Sequence, residues 1–104
     1  MADPKKTLTP TEIADAALAD WQQDGETLTA RFATGDFATG LALVNRIGVS
    51  AEAANHHPDL TLTYPEVGVT LTSHDVGGIT SRDVELARVI DEHADTLGVS
   101  SAAD

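Results

Sequence analysis

Apolar residues recur along this chain in two rhythms, and the switches between them outline its elements. From Thr27 to Phe32 every second residue is apolar, placing Leu28, Ala30 and Phe32 on one face of a strand. Trp21 and Asp24-Gly25 precede that run, and Asp-Gly between short extended segments signals a hairpin. Leu60-Thr61-Leu62-Thr63-Tyr64 alternates in the same way. After the turn residues Pro65-Glu66, the run Val67 to His74 predicts a strand with Val67, Val69 and Leu71 facing one way and Thr70, Thr72 and His74 the other. Helical spacing fills the gaps. Thr9-Pro10-Thr11-Glu12 reads as a capping box with proline in the first turn, opening a helix to about Asp20 that buries Ile13, Ala16 and Ala17. Asp36 caps a second helix, with Phe37, Leu41, Val44, Ile47 or Gly48, and Ala51 on its inner face, that ends near Asn55. Thr80-Ser81-Arg82-Asp83 opens a third, lined by Val84, Ala87, Ile90, Ala94 and Leu97 and stopped at Gly98.

The order α-β-β-α-β-β-α predicts an α+β fold of two layers, a four-stranded antiparallel sheet with helices on one face. A chain of 104 residues suits one domain. We place that domain at residues 9–98, between a flexible lead-in at 1–8 that should not matter to function and a flexible tail at 99–104.

The charge narrows the classes of partner. The net charge is −11 with six basic residues, and Lys5 and Lys6 fall in the lead-in, which argues against nucleic acid and anionic membranes. Acidic residues spread along the whole chain resemble the surfaces of proteins from salt-loaded cytoplasms, where salt screens self-repulsion. With no cysteine there is neither a disulfide framework nor a thiolate metal site. No leader-like or membrane-spanning apolar run is visible, so a cytoplasmic protein is expected.

Candidate chemistry gathers between Glu52 and Asp83, which hold three of the four histidines: His56, His57 and His74. Imidazole exchanges protons near neutrality, so several in one pocket make an acid/base set. His56-His57 at a helix end can equally be cations favoured by the helix dipole. His74 can be a solvated strand residue, and His93 falls on the outer face of the third helix. Three histidines can also hold zinc, although no HxH or HExxH pair occurs. Trp21 is open to two readings, a core aromatic or a ring stacking on a ligand.

Taken together, the spacing Glu52-x3-His56-His57-Pro58-x5-Tyr64-x9-His74-x8-Asp83 resembles the signature of the pterin-4a-carbinolamine dehydratases. Thr72-Ser73-His74-Asp75, Gly77-Gly78 and Arg82-Asp83 are similar to the family's flanking residues, and the order of elements fits its fold. The resemblance implies a hydro-lyase that removes water from 4a-hydroxytetrahydropterin to give quinonoid dihydropterin, with neither metal nor cofactor. It implies His56 and His74 in proton transfer and His57 mainly in holding the pterin. Asn55, Thr72, Ser73, Asp75 and Trp21 are implied as substrate contacts, and Asp83 and Glu52 as supporting residues, Asp83 orienting a histidine or simply capping its helix. The implied partner is the pterin itself, bound by a homodimer or homotetramer. The alternative is a non-catalytic pterin-binding or dimerisation module of the same fold. The chain departs from the family at Asn55, Leu60 and Val76, none of which is an implied proton carrier.

Overall fold

The apolar stripes must be covered, and the chain covers them by folding one sheet face onto two long helices. The structure, a computed structural model, describes residues 3–102; Met1, Ala2, Ala103 and Asp104, parts of the two expected tails, lie outside the described residues. The elements are α1 (Pro10–Asp15), β1 (Gln22–Asp24), β2 (Thr27–Ala33), α2 (Phe37–Ala54), β3 (Asp59–Thr63), β4 (Glu66–Leu71), α3 (Ser81–Thr96) and β5 (Ser100–Ser101). The strands lie in the antiparallel order β1-β2-β4-β3, with β5 also pairing with β2. The expected α+β architecture is therefore present, with one strand more than anticipated.

The register explains the core. Leu28 pairs with Leu71, Ala30 with Val69 and Phe32 with Val67, so the period-two apolar sets of β2 and β4 fall side by side. Onto that face pack Leu43 and Ile47 of α2 and Ala87, Ile90 and Ala94 of α3, all buried. Thr29, Arg31, Gly68 and Thr70 take the opposite face of the sheet. α2 sits close to the sheet at Gly40, where a Cβ would lie 2.7 Å from Leu62 Cδ1.

Four expectations need correction. α1 stops at Asp15 instead of Asp20, because Ala17 adopts φ 56° and the Arg88 guanidinium of α3 donates to the freed Ala16 carbonyl at 2.7 Å. The inner face of α2 is Gly40, Leu43, Ile47 and Ala51; Phe37 and Leu41, expected inside, are exposed. β4 ends at Leu71, short of His74. Finally, residues 99–101 are not an unstructured tail. At the end of α3 Gly98 takes φ +69° and Val99 N–H bonds Ala94 C=O at 2.8 Å. That reversal buries Val99 and lays Ser100–Ser101 against Phe32 and Ala33.

The corrected face of α2 is checked by a pair of truncations. Ile47→Ala should cost about 2–5 kcal/mol, the usual range for deleting a fully packed aliphatic side chain. Leu41→Ala should cost under about 1 kcal/mol, because its side chain already meets water. Urea unfolding of the two variants measures both, and equal losses would contradict the assignment.

Candidate active site

Both long helices bring a terminus to the same end of the molecule. α2 closes on Asn55 in the left-handed region (φ 50°, ψ 42°), and His56 N–H bonds Ala51 C=O at 3.1 Å, the reversing bond of a Schellman-type ending. That turn directs His56 inward, where it is 8% exposed, while His57 stays at the surface. α3 opens with the expected capping box, Thr80 as cap and Asp83 as the returning carboxylate.

Asp83 is the hub. It is 0% exposed, and all its bonds are internal. One carboxylate oxygen lies 2.6 Å from His56 Nε2; the other accepts from Ser73 Oγ at 2.8 Å and from Thr80 N–H at 2.9 Å. Ser73 and Thr80 hydroxyls are themselves 2.8 Å apart and buried. A carboxylate cut off from water is stable only when its lone pairs are met in this way. The consequence for His56 is geometric: Nε2–H donates to Asp83, which fixes the ring, and the lone pair of the neutral ring is on Nδ1.

His74 follows Ser73 directly, in a turn instead of on a strand face. Ser73 N–H bonds Gly78 C=O at 2.8 Å, Gly78 N–H returns to Ser73 C=O at 3.3 Å, and His74 lies exposed on the loop between them. The clamp on Asp83 therefore reaches both segments, through His56 itself and through the residue before His74. Glu52 pairs with His57 Nε2, both side chains being exposed.

Several expected substrate contacts have other partners. Thr72 Oγ1 donates to Glu26 C=O at 2.7 Å, Ser73 is taken up by Asp83, and Asn55 supplies the left-handed ending of α2. Asp75 accepts from Arg82 at 2.8 Å and lies 3.7 Å from the Lys5 ammonium. Trp21 is a core residue, edge-on to Phe32 with ring centroids 6.2 Å apart, and its indole N–H donates to Asp91 at 2.9 Å. Asp91 comes two turns after Asp83 on α3, roughly 12 Å along the axis, so the indole is anchored about two turns from the carboxylate that holds His56. Burial pushes the Asp91 carboxyl above the ordinary range, an effect the indole N–H partly offsets.

Two features carried no usable sequence signal. His93, expected on a solvated face, is half-buried and lies 2.7 Å from Ser50 Oγ, joining α3 to α2. Beside that pair a groove of about 240 Å³ runs between the helices, lined by Ser50, Ala54, Leu86 and Val89 and reaching His56 and Arg82. The lead-in is tied down as well: Leu8 N–H bonds Ile79 C=O at 2.7 Å, and Arg82 Nε donates to Pro4 C=O at 2.7 Å. A larger hollow of about 530 Å³ lies on the open face of the sheet and holds no histidine. Among the described residues no three His, Asp or Glu side chains converge as metal ligands, and no helix is long and apolar enough to cross a membrane.

Comparison with known proteins identifies the family and the fold. The family described as Pterin 4 alpha carbinolamine dehydratase matches residues 6–93. A protein of Thermosynechococcus vestitus, provisionally named a pterin-4-alpha-carbinolamine dehydratase, is 48% identical over 86 residues, covering 80% of this chain and 90% of its own. One of the same provisional name from Halobacterium salinarum is 40% identical over 80 residues, 77% of this chain and 88% of its own. The crystal structure of a transcriptional coactivator/pterin dehydratase from Brucella melitensis superposes with a TM-score of 0.81 at 33% identity, covering 86% of this chain and 99% of that one.

The loop carrying His74 yields a pH test. The hydrogen bond from Arg82 holds the Asp75 carboxyl below its usual range; burial opposes it, and the charges of Arg82 and Lys5 add to the lowering. A carboxyl depressed in the folded state stabilises fully above its unfolded value of about 3.9 and loses that contribution as pH falls through the folded value. Urea midpoints of wild type and Asp75→Asn should therefore differ by a constant amount near neutrality and converge in acid. A gap independent of pH would contradict the pairing.

Proposed function

The chain belongs to the pterin-4-alpha-carbinolamine dehydratase family, and from that premise we propose that it is a hydro-lyase converting 4a-hydroxytetrahydropterin to quinonoid dihydropterin. The reaction needs two proton transfers. The C4a–O bond breaks as a proton is given to the departing hydroxyl, the N5 proton is removed, and a C4a=N5 double bond forms with release of water. No electron acceptor is required, so two imidazoles in opposite protonation states meet the demand.

The observation that carries the reading is the buried Asp83 carboxylate, bonded at once to His56 and to Ser73 immediately before His74. In this reading His56 and His74 are the proton carriers. Asp83 fixes the tautomer of His56 and compensates the charge when that ring takes up a proton, as a carboxylate behind an imidazole does in other acid/base sites. His57, exposed and paired with Glu52, contacts the pterin. Ser73 acts through Asp83 and no longer as a direct contact. A homodimer or homotetramer belongs to the same reading; β3 ends the sheet and leaves an edge for pairing.

Initial rates on a synthetic carbinolamine test this. His56→Ala and His74→Ala should each lower kcat at least about tenfold, at the low end of what general acid/base groups contribute. Wild-type protein no faster than buffer would contradict the proposal and favour a non-catalytic pterin-binding role.

A further inference from the structure

The turn that carries His74 is closed at its base by the Ser73–Gly78 bridge but loosely held within. Gly77 takes φ +66° and Gly78 follows it, so two of its residues have the most permissive backbone available. Inside that bridge its bonds, from Val76 N–H to Ser73 and from Gly77 N–H to His74, are 3.2 and 3.3 Å long. Further order comes from outside the turn, and the residues that supply it are the lead-in and Arg82.

Leu8 is half-buried against the core, and its N–H bonds Ile79 C=O at 2.7 Å, just past the turn. Thr7 lies so close over Gly78 that a Cβ there would be 3.0 Å from Thr7 Cγ2. Arg82 then joins three segments with one guanidinium: Nε donates to Pro4 C=O at 2.7 Å and to Thr80 Oγ1 at 3.3 Å, and another nitrogen donates to Asp75 at 2.8 Å. Lys5 stands 3.7 Å from the second Asp75 oxygen. The Arg82 side chain is only 27% exposed, so its charge-assisted bonds are better sheltered than those of an open surface pair.

We propose that Pro4–Leu8 is a strap, pinned by Arg82, that positions the His74 turn for the elimination. Arg82 and Asp75 are then positioning residues, and the lead-in is part of the working site. The proposal rests on the dehydratase reading above. It follows from the demands of proton transfer: the imidazole has to lie within hydrogen-bond reach of the reacting atom, and a misplacement of about 1 Å can cost on the order of a hundredfold in rate. Arg82 also touches the hydroxyl of Thr80, the residue whose backbone N–H bonds Asp83, so the same pin braces both halves of the site.

Full-length protein, a chain lacking residues 2–7, Arg82→Gln and Arg82→Lys decide the matter with two readouts. The first is amide hydrogen exchange at Ser73 and Gly78, whose bonds close the turn and whose rates do not depend on catalysis. The strap predicts exchange about tenfold faster in the truncated chain and in Arg82→Gln, with the protection of β2 and β4 retained. The second is the kinetic split. kcat should fall about tenfold with KM changed by less than about twofold, as expected when only geometry at the reacting centre is lost. Arg82→Lys should fall between, because an ammonium can face Asp75 yet cannot reach Pro4 and Thr80 together. Unchanged exchange at the two amides, or faster exchange with kcat intact, overturns the proposal. If Arg82→Gln does not fold, the truncated chain and Lys5→Ala carry the same comparison. An inactive wild type defeats the dehydratase reading separately, and the strap's hold on the turn is then decided by exchange alone.

Discussion

A carboxylate that water cannot reach has to be answered by the protein, and most of this structure's functional end is organised around answering Asp83. Its partners come from three places: His56 beyond the end of α2, Ser73 beyond the end of β4, and the backbone of Thr80 at the start of α3. Each of those termini is fixed by its own local chemistry. The left-handed Asn55 turns α2, the capping box starts α3, and the bridge between Ser73 and Gly78 closes the loop after β4. Losing the carboxylate would leave the buried His56 imidazole without its partner, the situation that makes disrupted buried networks costly.

The same constraint separates the three histidines by environment. His56 is held by a buried partner, His57 by an exposed one, and His74 by the shape of its turn. In the proposed elimination one proton is given and another taken, and a ring whose tautomer is dictated together with an exposed ring on the segment that also bonds Asp83 would suit it. Asp83 is thus both a helix cap and a histidine partner; the two roles weighed from sequence are one.

Much of this was legible in the residues themselves. The caps Thr9, Asp36 and Thr80 act locally, so Ser/Thr/Asp before an apolar periodic run located three helix starts correctly. The alternation in β2 and β4 located the core, because a strand with one buried face has only one solution. The spacing from Glu52 to Asp83 pointed to the family, and residues 6–93 match it. What failed was decided at long range. α2 is apolar around much of its circumference, so its period could not tell the stripe with Leu43 from the one with Leu41. α1 is ended by Arg88, seventy-two residues from the carbonyl it reaches. β5 has two residues and no period to read. The lead-in is held largely through backbone carbonyl and amide groups, which leave no mark on side-chain pattern. Trp21 and His93 likewise found partners, Asp91 and Ser50, that only the tertiary fold brings near.

On the proposed dehydratase reading His56 and Asp83 act as one unit in proton transfer, and a double-mutant cycle on kcat distinguishes this from independent action. His56→Ala, Asp83→Asn and the double variant are compared with wild type on the same carbinolamine. If Asp83 works through His56, the double variant should be no slower than His56→Ala to within about twofold, a strongly non-additive result. Losses that multiply would show that the carboxylate and the imidazole serve the reaction independently, and would overturn the pairing.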